Sequence, residues 1–375
     1  MFMSLLKNTD RRIRYGVVGL GHIAQTAILP AFKHARENSE LVALFSGDGE
    51  KRAVLKEKYD LEHCGTYDEL EESIRNAALD AVYIAVPNHL HRELAERAMN
   101  AGAHVLCEKP LAMTSEECGL MIQAAMRTNR KLMTAYRLHF VEGALQAMKL
   151  AASGNLGELR TFSSVFSHQV RPGDIRTRPE VGGGALFDLG PYPVNTARHL
   201  FQSEPIEVFA WQVPQAVDGQ RGVDETTSAI LRFPKDRIAQ FTVCQTASSV
   251  DRYTLTGTRG DLRVQDGYEY AGSQTHFVTI DGKTRTNKYA SLDQFAPQLI
   301  HFSNCVLDGK EPEPSGREGL ADVLVLEALA LSAQTGRPVH LPTRDLPSHP
   351  NLDQAMWRPP VRKEKTVNAP APSKE

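Results

Sequence analysis

Over its first third the chain alternates two textures. Short apolar runs such as IRYGVVGL, ELVALFS, DAVYIAV, HVLCE and KLMTAYR read as strands. Between them, AQTAILPAFKHAR, EKRAVLKEKYD, HRELAERAMNAG and SEECGLMIQAAMRTN repeat apolar residues at helical spacing. Strand followed by helix at this pace predicts parallel strands joined by crossover helices, a doubly wound α/β unit over residues 13–136. Gly102 falls where a helix C-cap is wanted. Thr114 or Ser115, ahead of Glu116 and Glu117, falls where an N-cap is wanted.

Beyond residue 136 the pattern turns to period two. GELRTFSSVFSHQV, IEVFAWQVP, TTSAILRFP, IAQFTVCQT, RYTLTGTRGDLRVQ and THFVTIDG are strand-like and separated by Gly, Asp, Asn or Pro turns. One long helical run, GREGLADVLVLEALALSAQTG, follows. The expectation for residues 137–342 is an α+β unit, a large and mostly antiparallel sheet with helices on one face. Its other face stays open and needs a cover, which predicts a homodimer or homotetramer formed through that sheet. Residues 1–12 read as a short arm. Residues 343–375, rich in Pro and Lys, read as an extended tail with a disordered end.

Composition narrows the function more than the fold. The 375 residues suit two domains, and 41% hydrophobic with 23% charged residues is ordinary for a globular protein. A net charge of -2 gives no electrostatic reason to expect nucleic acid or an anionic membrane as partner. The five cysteines are scattered, with no C-x-x-C pair, so neither a metal site nor a disulfide framework is expected. Free thiols, and an N-terminus without an apolar run, point to the cytoplasm.

The candidate chemistry gathers at the ends of the predicted parallel strands. Gly19, Leu20, Gly21, His22, Ile23 and Ala24 form a G-x-G-x-x-A fingerprint between a strand and a helix. The first glycine permits the tight turn, and the second lets backbone N–H groups approach a pyrophosphate, so this is a Rossmann-type dinucleotide site. After the second strand, NAD-binding chains usually carry an acid for the adenosine ribose, but here Ser46 and Gly47 stand in that place. A hydroxyl can donate to a 2′-phosphate that a carboxylate would repel, and Lys51 and Arg52 can add positive charge. NADP is therefore expected in preference to NAD. The alternative is that Asp48 takes the acid's role in a shifted register.

Pro87 and Asn88 follow the next strand on the ligand side of such a sheet, with His91 a turn further on. Ligand contact and structural capping both remain open for Asn88 and His91. Arg137 and His139 lie just past the last parallel strand, where the cleft between the two units should open. Arg137 is expected near the nicotinamide or substrate, and His139 near the substrate.

Together the fingerprint, VPNHLHRELAERAMNAGAHVLCEKPLA and GGGALFDLGPYPVN resemble the glucose–fructose oxidoreductase and inositol dehydrogenase family. FSGDGEKR, MTAYRLHF and IRTRPEVGGG are most similar to its NADP-dependent, tyrosine-containing branch. The resemblance implies that Glu108, Lys109 and Pro110 leave their strand facing the nicotinamide, with Lys109 at the reacting sugar carbon and Glu108 orienting it. It implies further that Asp188 and Tyr192 complete the catalytic site. Four residues apart, they would share a face of one helix, although Pro191 and Pro193 flank Tyr192. An ordinary surface pair at Glu108–Lys109 and a core aromatic at Tyr192 are the bland alternatives. In the likeness the loop carrying Arg176 and Arg178 covers cofactor and substrate; otherwise it is a solvated loop.

The function implied is NADP-dependent hydride transfer at a sugar (aldose) hydroxyl or carbonyl. Members that pass hydride between two sugars on a retained nucleotide carry a long N-terminal arm and an export signal. The short arm here leads us to expect an exchangeable cofactor. A non-catalytic nucleotide-binding regulator would need neither Lys109 nor Tyr192, and NAD-dependent glycoside cleavage would favour an acid at Ser46.

Overall fold

A computed structural model describes residues 11–217, 220–345, 349–362 and 364–373. Most of the expected N-terminal arm therefore lies outside the described residues. Six parallel strands form the first sheet: β1 (Ile13–Val18), β2 (Ser39–Phe45), β3 (His63–Gly65), β4 (Ala81–Ile84), β5 (His104–Glu108) and β6 (Leu132–Ala135). Their order, β3-β2-β1-β4-β5-β6, reverses direction between β1 and β4 and opens a crevice at the strands' carboxyl ends there. β4 and β6 are buried at every position, as strands covered on both faces must be.

The helix after β1 departs from the simple expectation. It starts in π turns over Ala24–Ile28, becomes α over Leu29–Ala31 and tightens to 3-10 over Phe32–His34. Pro30, which lacks an N–H and crowds the carbonyl one turn back, sits at the change of winding. The two expected caps are present. Thr114 Oγ1 accepts from Glu117 N at 3.1 Å, and Gly102, at φ +105°, follows the helix His91–Asn100.

The second sheet contains β7 (Leu159–Ser167), β8 (Glu207–Val217), β9 (Gln220–Phe233), β10 (Arg237–Cys244), β11 (Val250–Gly257), β12 (Gly260–Gln265), β13 (Gln274–Ile280), β14 (Lys283–Tyr289) and β15 (Val339–His340). Its order is β14-β13-β12-β11-β7-β10-β9-β8-β15, antiparallel except where β7 lies parallel to β10. Alternation along β10 matches a sheet packed on one face only. Helices Glu142–Ala152, Pro191–Phe201 and Gly316–Thr335 lie on the packed side. Trp211, Val213, Ile230 and Ile238 stay exposed, Trp211 at 68%.

Two parts of the second half of the chain pack on the first unit. The helix Ala296–Asp308 adds Phe295, Ala296, Leu299, Ile300 and Phe302 to the core around β1 and β2. Its Ser303 hydroxyl lies 2.8 Å from Tyr15 Oη and 2.7 Å from Ser39 Oγ. The C-terminal segment, expected as an extended tail with a disordered end, runs back over the first unit through Arg358, Glu364 and Val367, and residues 374 and 375 lie outside the described residues. The boundary at residue 136 thus separates the two sheets but not all of their covering elements. Among the described residues no helix is long and apolar enough to cross a membrane.

Candidate active site

A cleft of about 1130 Å³ lies at the carboxyl ends of β1, β2, β4, β5 and β6, roofed by the second unit. Gly19, Leu20, Gly21, His22 and Ile23 form its floor after β1. Gly19 sits at φ +97°, and a Cβ there would stand 2.4 Å from the Ala85 carbonyl oxygen. Only glycine allows that turn. Gly21 faces open space, with no atom within 4 Å of its missing Cβ. This is a cradle into which the backbone admits a phosphate, so the residues present fit a dinucleotide.

Ser46 and Lys51 line the cleft beyond β2. Asp48 does not. It caps the next helix, its Oδ1 accepting from Lys51 N at 3.1 Å, and its Oδ2 lies 3.3 Å from Asn368 Nδ2. The alternative in which Asp48 replaces the missing acid is therefore not what the geometry presents. Next to Ser46, nothing lies within 4 Å of where a Gly47 Cβ would stand, and the Arg52 guanidinium turns back to donate to the Ser46 carbonyl. Tyr67, which the sequence reading did not single out, joins this corner. Its hydroxyl approaches Ser46 and Gly47, and burial pushes its pKa up.

Pro87 and Asn88 line the cleft, and Asn88 Nδ2 donates to the Gly182 carbonyl at 3.0 Å, tying the first unit to the loop above it. His91 is a correction to the expected site. It is wholly buried, its Nδ1 2.9 Å from the Pro110 carbonyl and its Nε2 3.0 Å from that of Val86. It therefore braces the β4 and β5 exits against each other and does not reach a ligand.

Glu108 and Lys109 leave β5 into the cleft, and the Lys109–Pro110 bond is cis. Glu108 does not pair with the ammonium as the resemblance implied. Its Oε1 accepts from Tyr83 Oη at 2.8 Å and its Oε2 from Lys109 N at 3.3 Å. Burial raises its pKa, against the lowering influence of Lys109. The Lys109 Nζ reaches across to the second unit, donating to the Asp188 carbonyl oxygen at 2.7 Å and lying 3.9 Å from Asp188 Oδ1. It also sits 4.5 Å from the centroid of the Tyr192 ring.

Asp188 and Tyr192 do not share a helix, a second correction. The short helix Ala185–Asp188 ends before Gly190, and a new helix begins at Pro191. Proline is tolerated at a first turn, where its missing N–H has no partner to lose. Both side chains still reach the cleft. Burial opposes ionisation of Asp188, but Arg176, Lys109 and His168 outweigh it and hold the carboxyl below its usual range. Arg176 lines the cleft, with its Nε 3.2 Å from Asp188 Oδ2 and its Nη1 3.1 Å from Asp174. Arg178 is not part of the wall. Arg137 Nη2 donates to the Tyr192 hydroxyl at 3.2 Å, and its Nη1 to Gln294 Oε1 at 2.5 Å.

His139 is the third correction. It is fully buried behind the cleft, with Nδ1 2.7 Å from Glu313 Oε1 and Nε2 2.9 Å from Asn195 Oδ1. Burial would lower its pKa, but the Glu313 carboxylate prevails and raises it to about 9. Asn195 links it to a buried cluster in which Arg198 meets Glu204 and Glu318 at 2.7 Å and also Asp322. This ionic core fixes the helix carrying Tyr192 against Gly316–Thr335. Arg198→Leu would strand three buried carboxylates, and we expect a loss of about 3–5 kcal/mol in urea unfolding. A loss below about 1 kcal/mol would contradict that account.

One further cleft residue escaped the sequence reading. His168, just beyond β7, lines the cleft with Nε2 lacking any partner among the described residues. Its position past a strand end was the available signal.

The site's chemistry is thus a phosphate cradle, a hydroxyl-lined ribose corner and, opposite, an ammonium, a phenol, a guanidinium and a carboxylate in contact. Comparison with known proteins identifies the family. The family model described as "Oxidoreductase family, NAD-binding Rossmann fold" matches residues 13–136, and "GFO/IDH/MocA C-terminal domain" matches residues 144–263. The crystal structure of an aldose–aldose oxidoreductase from Caulobacter crescentus, complexed with glycerol, is 35% identical with a TM-score of 0.84, covering 88% of this chain and 100% of that one. A D-xylose 1-dehydrogenase [NADP(+)] of Haloarcula marismortui is 29% identical, covering 89% of this chain and 94% of its own. A 3-ketoreductase from Actinomadura kijaniata, solved in complex with NADP and TDP-benzene, is 27% identical with a TM-score of 0.79, covering 86% and 98%. Sequence, fold and site agree that this chain belongs to the GFO/IDH/MocA oxidoreductase family, the glucose–fructose oxidoreductase and inositol dehydrogenase family its motifs resemble.

Proposed function

We propose that this protein is an NADP-dependent oxidoreductase that moves hydride between the nicotinamide and a sugar hydroxyl or carbonyl. The observation that carries the reading is the pairing of a hydroxyl-lined ribose corner, Ser46 with Tyr67 and Lys51, with the Lys109–Tyr192 contact across the cleft. Gly19, Leu20, Gly21, His22 and Ile23 would hold the pyrophosphate, and Ser46 and Lys51 the 2′-phosphate. Pro87, Asn88, Glu108 and Arg137 would line the path to the nicotinamide. Bound NADP would supply the hydride acceptor. The chain's own part is the proton: Tyr192, acting as its phenolate, would take it from the sugar hydroxyl, with Lys109 on the ring face and Arg137 on its oxygen balancing the phenolate charge before the transfer and the sugar oxygen's as it gives up the proton. Asp188, held ionised, orients Lys109 and accepts from the sugar, with Arg176 fixing its carboxylate. The exposed face of the second sheet would pair with a second copy, giving a homodimer or homotetramer.

Titration with both nucleotides tests the cofactor assignment. The protein should bind NADP more tightly than NAD, and Ser46→Asp should weaken NADP roughly tenfold to a hundredfold while sparing NAD, because a carboxylate repels the 2′-phosphate. Equal affinity of the unaltered protein for NAD and NADP would overturn the 2′-phosphate site.

A second reading, hydride transfer between two sugars on a retained nucleotide, is favoured by the likeness to an aldose–aldose oxidoreductase and by the C-terminal segment over the cleft.

A further inference from the structure

Beyond β15 the described residues stay packed on the molecule. Gln354 Nε2 donates to Glu313 Oε2 at 2.6 Å, and Arg358 Nη2 to Glu37 Oε2 at 2.6 Å. Glu364 then sits between Lys58, at 2.5 Å, and Lys33, at 3.5 Å. Val367 exchanges two bonds with the Gln25 side chain, its N donating to Oε1 at 2.7 Å and its carbonyl accepting from Nε2 at 2.8 Å. Asn368 Nδ2 donates to Glu50 Oε2 at 2.9 Å and to Asp48 Oδ2 at 3.3 Å. The Ala369 carbonyl lies 3.3 Å from His22 Nδ1. Finally Arg171 N donates to the Pro372 carbonyl at 2.7 Å, and Ser373 bridges to Val170.

The anchors share a property. His22 and Gln25 belong to the turn and helix of the phosphate cradle. Asp48 and Glu50 open the helix that follows Ser46, and Val170 and Arg171 belong to the second unit. The segment therefore crosses from one side of the cleft to the other, above the two loops that would hold the adenosine half of a dinucleotide. Lys365, Thr366 and Pro372 are themselves part of the cleft wall. Both family models end before this segment, at residues 136 and 263, so it is not part of what they describe.

We propose that residues 364–373 are a strap that closes the adenosine end of the site and sets the rate at which NADP(H) leaves. The proposal rests on the NADP reading above. A nucleotide beneath the strap leaves only when the Val367 and Asn368 anchors open together, a local unfolding that does not require the sheets to part. Slow release gives a second sugar carbonyl time to arrive. That carbonyl carbon would take the hydride that the first sugar's carbon had given to the nucleotide, and its oxygen the proton that the first sugar's hydroxyl had given to Tyr192, so one sugar is oxidised as the other is reduced.

The test is the dissociation rate of NADPH, followed by its fluorescence after a chase with excess NADP. Three proteins are compared: the full chain, a chain ending at Pro359, and Asn368→Asp. The last sets a third carboxylate against Asp48 and Glu50 without shortening the chain. Release should be roughly tenfold faster or more from the truncated chain. It should also be faster from Asn368→Asp, by a factor that shrinks as added salt screens the repulsion. In the full chain, bound NADPH should slow hydrogen exchange at the Val367 amide. Equal release rates from all three proteins, with the nucleotide-free melting temperature of Asn368→Asp unchanged, would overturn the strap and leave the NADP site standing. Failure of the full chain to bind NADPH at all would remove the NADP reading and the strap with it.

Discussion

Lys109→Ala should lower turnover about 10²- to 10⁴-fold while leaving NADP affinity close to that of the unaltered protein. The split follows from where the ammonium sits. It lies 2.7 Å from the Asp188 carbonyl oxygen, 3.9 Å from the Asp188 carboxylate and 4.5 Å from the Tyr192 ring centroid. None of these neighbours belongs to the Gly19 cradle or the Ser46 corner, so the adenosine half of the site does not depend on it. Its loss removes positive charge from the place where a sugar oxygen becomes negative, and leaves Asp188 with Arg176 as its remaining close cation. Arginine is not expected to rescue, because a planar guanidinium cannot stand in for a compact ammonium between a carbonyl and a ring face. Steady-state rates beside a nucleotide titration check both halves. A variant that keeps turnover within tenfold would remove Lys109 from the chemistry.

Tyr192→Phe deletes one oxygen and little else. The ring packs edge-on against Phe166, with centroids 5.4 Å apart, and phenylalanine preserves that contact and the face beneath Lys109. Arg137 Nη2 loses its 3.2 Å acceptor, but its bond to Gln294 and its donation to the Tyr268 carbonyl hold the guanidinium in place. We expect kcat to fall about 10²- to 10⁴-fold with KM changed far less, and unfolding free energy to stay within about 1 kcal/mol. That pattern marks an interaction made in the transition state. A rise in KM with kcat intact would make Tyr192 a binding residue only.

Much of this site was legible because the first unit's strands are buried on both faces and so appear as near-continuous apolar runs with fixed exits. Each exit residue, Gly19, Ser46, Pro87, Lys109 and Arg137, follows a strand whose end is easy to place. Side-chain direction beyond an exit is another matter. His91 and His139 follow strands just as Arg137 does, yet both rings turn inward to satisfy carbonyls or a carboxylate. Nothing in the order of residues distinguishes a ring facing a cleft from one bridging two loops. The break between Asp188 and Tyr192 was signalled by Pro191, but a kinked helix and a fresh helix start have the same local sequence. The helix Ala296–Asp308 and the strap were hidden for a different reason. Their partners lie roughly 250 to 350 positions away, as with Tyr15 and Ser303 or Gln25 and Val367, and no local periodicity encodes such pairings.

The measurement closest to the central claim is a single turnover on the bound nucleotide. The protein is loaded with NADP and mixed with a panel of aldoses, and the nicotinamide spectrum is followed; in parallel, protein loaded with NADPH is mixed with keto sugars. This reads hydride transfer directly, whether or not the nucleotide later leaves. The account predicts that at least one aldose reduces the bound NADP, or one keto sugar oxidises the bound NADPH, and that Lys109→Ala and Tyr192→Phe abolish the change while still holding nucleotide. A spectrum unmoved by every sugar in either direction, with nucleotide demonstrably bound, would contradict it and leave a nucleotide-binding protein without this chemistry.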